Sequence, residues 1–196
     1  MRFSKSSIML SKVVFLDRDG TIIEDKVFLK TPEEIEFFPG SFEAIRILRK
    51  LGYKIVVISN QSGIGRGILT EEMVKKVNDC FMRRLKENDA PVDALYYCPH
   101  HPEDHCRCRK PETGMIEKAV TELSLDLKDA VVIGDHLVDI TLGKNIGAKT
   151  VLVLTGHGEK ELEELKDTDI EPDFVANDLL EAVNWVRNII LLQKGC

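Results

Sequence analysis

The apolar run Val13-Val14-Phe15-Leu16 stops at two aspartates, and the chain continues Asp17-Arg18-Asp19-Gly20-Thr21. A short apolar run closed by a glycine turn predicts a strand buried inside a sheet. Carboxylates at the carboxyl end of such a strand face the crevice where open α/β sheets bind ligands. With the backbone extended through Asp19, the two-residue period puts both side chains on one side. Paired carboxylates without a lysine beside them repel one another unless a cation neutralises them, so the pair implies a bound divalent metal.

Similar runs recur at residues 54–59, 92–97, 130–134 and 149–154, with a shorter one at 173–176. Between them, apolar residues at helical spacing predict helices over 41–51, 70–87, 114–123, 137–146, 159–165 and 177–192. Thr70 is the predicted N-cap of the second helix, with Glu71 and Glu72 in its first turn. This alternation argues for an α/β fold, a Rossmann-like parallel sheet with helices on both faces. A length of 196 residues suits one domain with a sizeable core, so residues 1–196 are expected to form a single domain. Residues 1–11 read as a flexible lead-in rather than a signal peptide.

The net charge of −6 counts against a general nucleic-acid partner. No run of about 18 apolar residues occurs, so no membrane span is expected. Three of the five cysteines, Cys98, Cys106 and Cys108, fall within eleven positions among histidines. That pattern reads as metal ligation rather than a disulfide framework, and it favours a reducing, cytoplasmic setting.

Four features fall at the predicted carboxyl ends of four successive strands. Asp17 and Asp19 are the first. The second is the segment Ser59-Asn60-Gln61-Ser62-Gly63-Ile64-Gly65-Arg66-Gly67, whose hydroxyl and backbone N–H donors could hold an anion. The third is the basic pair Arg109-Lys110, and the fourth is Gly134-Asp135-His136-Leu137-Val138-Asp139. Taken singly these are a turn, a solvated basic pair and helix N-cap acids. Together they supply carboxylates for a cation, donors for an oxyanion and a lysine for negative charge, a set suited to phosphoryl transfer.

The joint pattern, DxDGT followed downstream by GDxxxD, resembles the haloacid dehalogenase-like phosphohydrolases over roughly residues 12–158. The resemblance implies that Asp17 is a nucleophile forming an aspartyl-phosphate and that Asp19 is the general acid and base. It implies that Ser59 and the Asn60 backbone N–H bind the phosphoryl group and that Lys110 stabilises its charge. Mg²⁺ would be held by Asp17, the Asp19 main-chain carbonyl and Asp135, with Asp139 orienting that site. Family members of this kind usually carry no large cap domain, and no segment here is long enough for one.

Residues 98–108 offer three thiolates and three imidazoles, and tetrahedral Zn²⁺ takes four N/S ligands. The C-x-H and C-x-C pairs select Cys98, His100, Cys106 and Cys108, with His101 and His105 as replacement candidates. With every position filled by protein, the zinc is structural and sets Arg109-Lys110 at the site.

A zinc loop followed by Arg-Lys-Pro is similar to two branches of the family. One removes the 7-phosphate of D-glycero-D-manno-heptose 1,7-bisphosphate, in the formation of nucleotide-activated heptose for lipopolysaccharide. The other acts on histidinol phosphate in histidine synthesis. The stretch from Ser59 to Gly67, with Gln61, Ser62 and Arg66, and the residues Gly114 and Met115 after the basic pair favour the heptose branch. By resemblance, Arg109 recognises the distal phosphate or the sugar, and Asp25, Lys26, Val27 and Phe28 contribute to the sugar pocket. Two departures stand out: residues 25–28 lack the Gly-Tyr pair frequent in that branch, and His136 replaces its usual lysine. A histidine there can still donate to a phosphate or to metal-bound water. The expected partner is a small phosphorylated sugar, with no nucleic acid or membrane, and the chain is expected to act as a monomer.

Overall fold

The computed structural model describes residues 11–194. Six parallel strands form one sheet in the order β3-β2-β1-β4-β5-β6. They are β1 (Ser11–Leu16), β2 (Lys54–Asn60), β3 (Ala94–Cys98), β4 (Leu125–Gly134), β5 (Lys149–Val153) and β6 (Phe174–Ala176). The helices are α1 (Ser41–Lys50), α2 (Glu71–Glu87), α3 (Gly114–Leu123), α4 (Leu137–Asn145), α5 (Gly158–Leu165) and α6 (Leu179–Lys194).

The two-residue period of the strands divides the core into layers. Val14 and Leu16 of β1 pack with α1, α2 and α6 through Ile45, Phe81 and Val183. Val13 and Phe15 point the other way, against Met115 and Ile116 of α3 and Leu142 of α4. Val13 to Leu16 are all fully buried, which is why this part of β1 reads as an unbroken apolar run rather than an alternating one. Thr70 caps α2 as expected, its side-chain oxygen accepting from the Met73 N–H at 3.1 Å.

Strand order reverses at β1, which has β2 on one side and β4 on the other. The crevice outside this switch point is where such sheets bind ligands. The β1 ladder continues to the first aspartate, whose N–H donates to Ile133 O at 3.0 Å.

Three local expectations are corrected. Ser11 belongs to β1, paired with Leu125, so the lead-in does not reach it. Residues 1–10 of that expected lead-in lie outside the described residues. The fourth strand starts at Leu125 rather than 130, and its pairing with β1 shifts register between Lys12 and Val14. The third strand starts at Ala94 rather than 92, because Asp93 turns its carboxylate to the Ile55 N–H (2.8 Å) and Lys54 Nζ (2.7 Å).

Candidate active site

One cleft opens at the carboxyl ends of the central strands. Asp17, Asp19, Asp25, Ser59, Asn60, Gln61, Ser62, Arg109, Lys110 and His136 line it, with Val27 and Phe28 at its mouth. Asp135 and Asp139 lie fully buried beside it. Lys26 and Arg66 are not brought to this cleft. Lys26 pairs with Glu24 at 2.7 Å and Glu36 at 3.2 Å, and Arg66 is exposed on the glycine-rich turn after β2.

Lys110 holds the centre together. Its Nζ is 2.8 Å from Asp17 Oδ1 and 2.7 Å from Asp139 Oδ1, and it donates to Ile58 O at 3.2 Å. Asn60 fixes the lysine's main chain, accepting from its N–H (3.0 Å) and donating to its carbonyl (3.2 Å). The structure therefore gives the Asn60 side chain a role that its backbone N–H alone would not suggest.

Asp17, Asp135 and Asp139 each place a carboxylate oxygen within 4.8 Å of the others. Burial, then the neighbouring carboxylates, push Asp17 well above the usual carboxylate range against the pull of Lys110. Burial likewise raises Asp135 to about 6, opposed by the His157 backbone N–H on its Oδ2. Burial pulls the Lys110 ammonium down, but Asp139 and Asp17 more than offset it, so its pKa is raised. Asp139 Oδ2 is buried with no hydrogen-bond partner among the described residues. Three buried carboxylates with one lysine and an orphaned acceptor form an oxygen-rich set that fits a hard divalent cation such as Mg²⁺.

The first glycine of the motif is required by this packing. Gly20 has φ +80°, and a Cβ there would sit 2.1 Å from Asp135 Oδ2. The adjacent Thr21 donates its hydroxyl to Asp135 Oδ1 at 3.2 Å.

Asp19 keeps its carboxylate outside the three-aspartate cluster. Arg18 Nη2 lies 2.9 Å from Asp19 Oδ2, and Gln61 Nε2 (2.9 Å) and Ser59 Oγ (3.3 Å) donate to the same oxygen. Arg18 is fully buried and also donates to Asn78 Oδ1 on α2. The two-aspartate motif by itself gives Arg18 no role. The available signal was Asn78, a polar residue between Val77 and Phe81 on the buried face of α2. Glu161 was missed as well: it accepts from the Leu137 N–H at 2.7 Å at the start of α4 and pairs with His136 Nδ1 at 2.9 Å.

Beyond β3 the chain forms a second cluster. Cys98, His100, Cys106 and Cys108 converge, with Cys98–Cys106 sulfurs at 3.4 Å, Cys106–Cys108 at 3.5 Å and His100 Nδ1 3.2 Å from Cys108 Sγ. A tetrahedral Zn²⁺ with ~2.3 Å bonds to sulfur spaces its ligands by about 3.7 Å, so the donor set and spacing fit that ion. His101 is turned elsewhere, accepting from the Glu103 N–H at 3.3 Å as cap of the short turn Pro102–Asp104. His105 is exposed. The loop is seated on the β2 turn: Gly65 N–H donates to Pro99 O at 2.8 Å, and a Cβ on Gly65 would meet His101 N at 2.3 Å.

Comparison with known proteins agrees with this geometry. The HAD-hydrolase-like family model matches residues 107–182. A D-glycero-D-manno-heptose-1,7-bisphosphate 7-phosphatase of Chlorobaculum tepidum is 42% identical over 189 residues, covering 88% of this chain and 92% of that protein. A D-glycero-beta-D-manno-heptose-1,7-bisphosphate 7-phosphatase of Haemophilus influenzae is 39% identical over 156 residues, covering 75% and 84%. The crystal structure of a D,D-heptose 1,7-bisphosphate phosphatase from B. bronchiseptica, complexed with magnesium and phosphate, superposes with a TM-score of 0.82 at 33% identity, covering 91% of this chain and 99% of that one.

Proposed function

The chain belongs to the HAD-like hydrolases, in the family of heptose-1,7-bisphosphate 7-phosphatases, and from that premise we propose that it removes the 7-phosphate of D-glycero-D-manno-heptose 1,7-bisphosphate with Mg²⁺ as cofactor. The observation that carries the reading is Lys110 held between Asp17 and Asp139 beside Asp135, at the point where strand order reverses.

Asp17 Oδ1 is occupied by Lys110 and by the Arg18 N–H at 2.7 Å, so Oδ2 is the oxygen left to attack phosphorus. As the Asp17–phosphorus bond forms, the bond to the sugar oxygen breaks and Asp19 gives that oxygen a proton. Asp19 then takes a proton from the water whose oxygen attacks phosphorus, which frees phosphate and restores Asp17. Lys110 and Ser59 face the charge on the transferring group. Asp17, Asp135 and the Asp19 carbonyl would hold the Mg²⁺, with Asp139 alongside. When bound, it supplies positive charge that offsets charge developing on the phosphoryl oxygens.

Arg109 Nη1 is buried without a partner among the described residues, which suits it to a second anionic group of the substrate. The loop bearing Cys98, His100, Cys106 and Cys108 would carry a structural zinc and so deliver Arg109-Lys110 to the cleft. Among the described residues no helix is long and apolar enough to cross a membrane. The same reading has the chain act as a single-domain monomer in the cytoplasm, where its thiolates stay reduced.

Phosphate release with Mg²⁺ from a panel tests this. The panel contains both anomers of heptose 1,7-bisphosphate, fructose 1,6-bisphosphate, histidinol phosphate and a 3′-phosphorylated oligonucleotide. The expected result is a clear kcat/KM preference for a heptose anomer; preference for another member overturns the substrate. Asp17→Asn should retain the fold and lose at least about 100-fold in activity, or about 3 kcal/mol of barrier. Residual turnover above that level removes Asp17 as nucleophile.

A further inference from the structure

The segment after the two-aspartate motif carries an unusual backbone conformation at an exposed residue. Val27 has φ +64° and its side chain is 76% exposed. A β-branched residue rarely adopts a left-handed backbone, because its Cβ crowds the chain. Such strain persists only where surrounding contacts impose it, and it clusters at ligand sites. Packing does not impose it here, since Val27 faces solvent.

The restraint comes from Asp25. Its Oδ1 accepts from the Val27 N–H at 2.6 Å, closing the turn, and its Oδ2 lies 2.9 Å from His157 Nε2. A carboxylate can only accept, so the imidazole Nε2–H is the donor. His157 is itself firmly placed. Its backbone N–H donates to Asp135 Oδ2 at 2.9 Å, and its ring lies 4.8 Å from that of His136. It precedes Gly158, where a Cβ would stand 1.8 Å from Val153 O, so the chain runs tight against β5.

We propose that His157 is a positioning residue: through Asp25 it holds the Val27 turn at the mouth of the cleft, so that Val27 and Phe28 form the wall meeting the sugar portion of a phosphorylated sugar. One residue thereby touches both ends of the site, its main chain on Asp135 and its ring on the substrate loop. The inference rests on the phosphatase reading and assigns the determinant of selectivity beyond the phosphoryl group. A partly exposed side-chain contact of this kind adds little stability, so its effect belongs in substrate recognition rather than in folding.

The test compares heptose 1,7-bisphosphate with p-nitrophenyl phosphate, which has no sugar, in the Mg²⁺-loaded wild type, His157→Ala, His157→Gln, Asp25→Ala and the His157→Ala, Asp25→Ala double variant. His157→Ala should raise KM for the heptose substrate about tenfold with a much smaller change in kcat, and lower the kcat/KM ratio between the two substrates. His157→Gln, whose amide N–H can reach the same carboxylate, should recover most of the loss. In the Asp25→Ala background, His157→Ala should cost nothing further. An unmoved KM, an equal loss on both substrates, or additive losses in the double variant overturns the inference while leaving the phosphatase reading intact. A wild type that releases phosphate from p-nitrophenyl phosphate but not from the heptose overturns the substrate and this inference together.

Discussion

At the scale of single residues, the centre is a charge problem with one lysine for three buried aspartates. Asp135, raised by burial to about 6, titrates inside the working pH range. An acid whose folded pKa lies above its usual 3.8 contributes stability that is complete below that value and lost as pH rises through the folded pKa. Thermal melts of metal-free protein should therefore show the wild type losing stability relative to Asp135→Asn between pH 4 and 7. Parallel curves would refute the assignment. Saturating Mg²⁺ should remove the difference at high pH, because the cation binds the ionised carboxylates. The convergence of Asp17, Asp135, Asp139 and Lys110 was legible in the sequence because their motifs fall at the ends of successive strands. Arg18, His157 and Glu161 were not, because their partners Asn78, Asp25 and Leu137 lie far along the chain. Lys26 and Arg66 show the converse: motif position suggested the cleft, and their side chains lie elsewhere.

At the scale of elements, periodicity carried most of the information. Each of α1–α6 overlaps a helix expected from the sequence, and α1, α2 and α3 bury one apolar stripe against the sheet. Strand starts were less legible. Leu125 to Asp129 precede the buried part of β4 with exposed Lys128 and Asp129, so no apolar run announces them. The loop after β3 has almost no regular structure, and its shape follows from side chains that share one point. Cys106→Ser should lower bound zinc well below one per chain, raise amide exchange across residues 98–108 and reduce activity, because Arg109 and Lys110 follow directly. The Mg²⁺ requirement should persist. Undiminished zinc content would require another ligand set, with His101 or His105 entering it.

For the whole molecule, stability rests on two apolar layers divided by the sheet. Phe15 is fully buried in the layer under α3 and α4, two residues before Asp17. Phe15→Ala should cost about 3–5 kcal/mol in denaturant unfolding, as large-to-small core changes do. A loss below about 1 kcal/mol would mean that the layer collapses around the gap. The sequence by itself determined the architecture, the four strand-end motifs and the candidate metal ligands of the loop. Those features depend on local period and on residue types at short spacing. Tertiary structure alone decided that Asp139 leaves one buried oxygen unpartnered among the described residues, that Asn60 grips Lys110, and that His157 reaches back 132 residues to Asp25. Such contacts follow from how the strands stack side by side and where each βα loop emerges, and no local pattern encodes that distance.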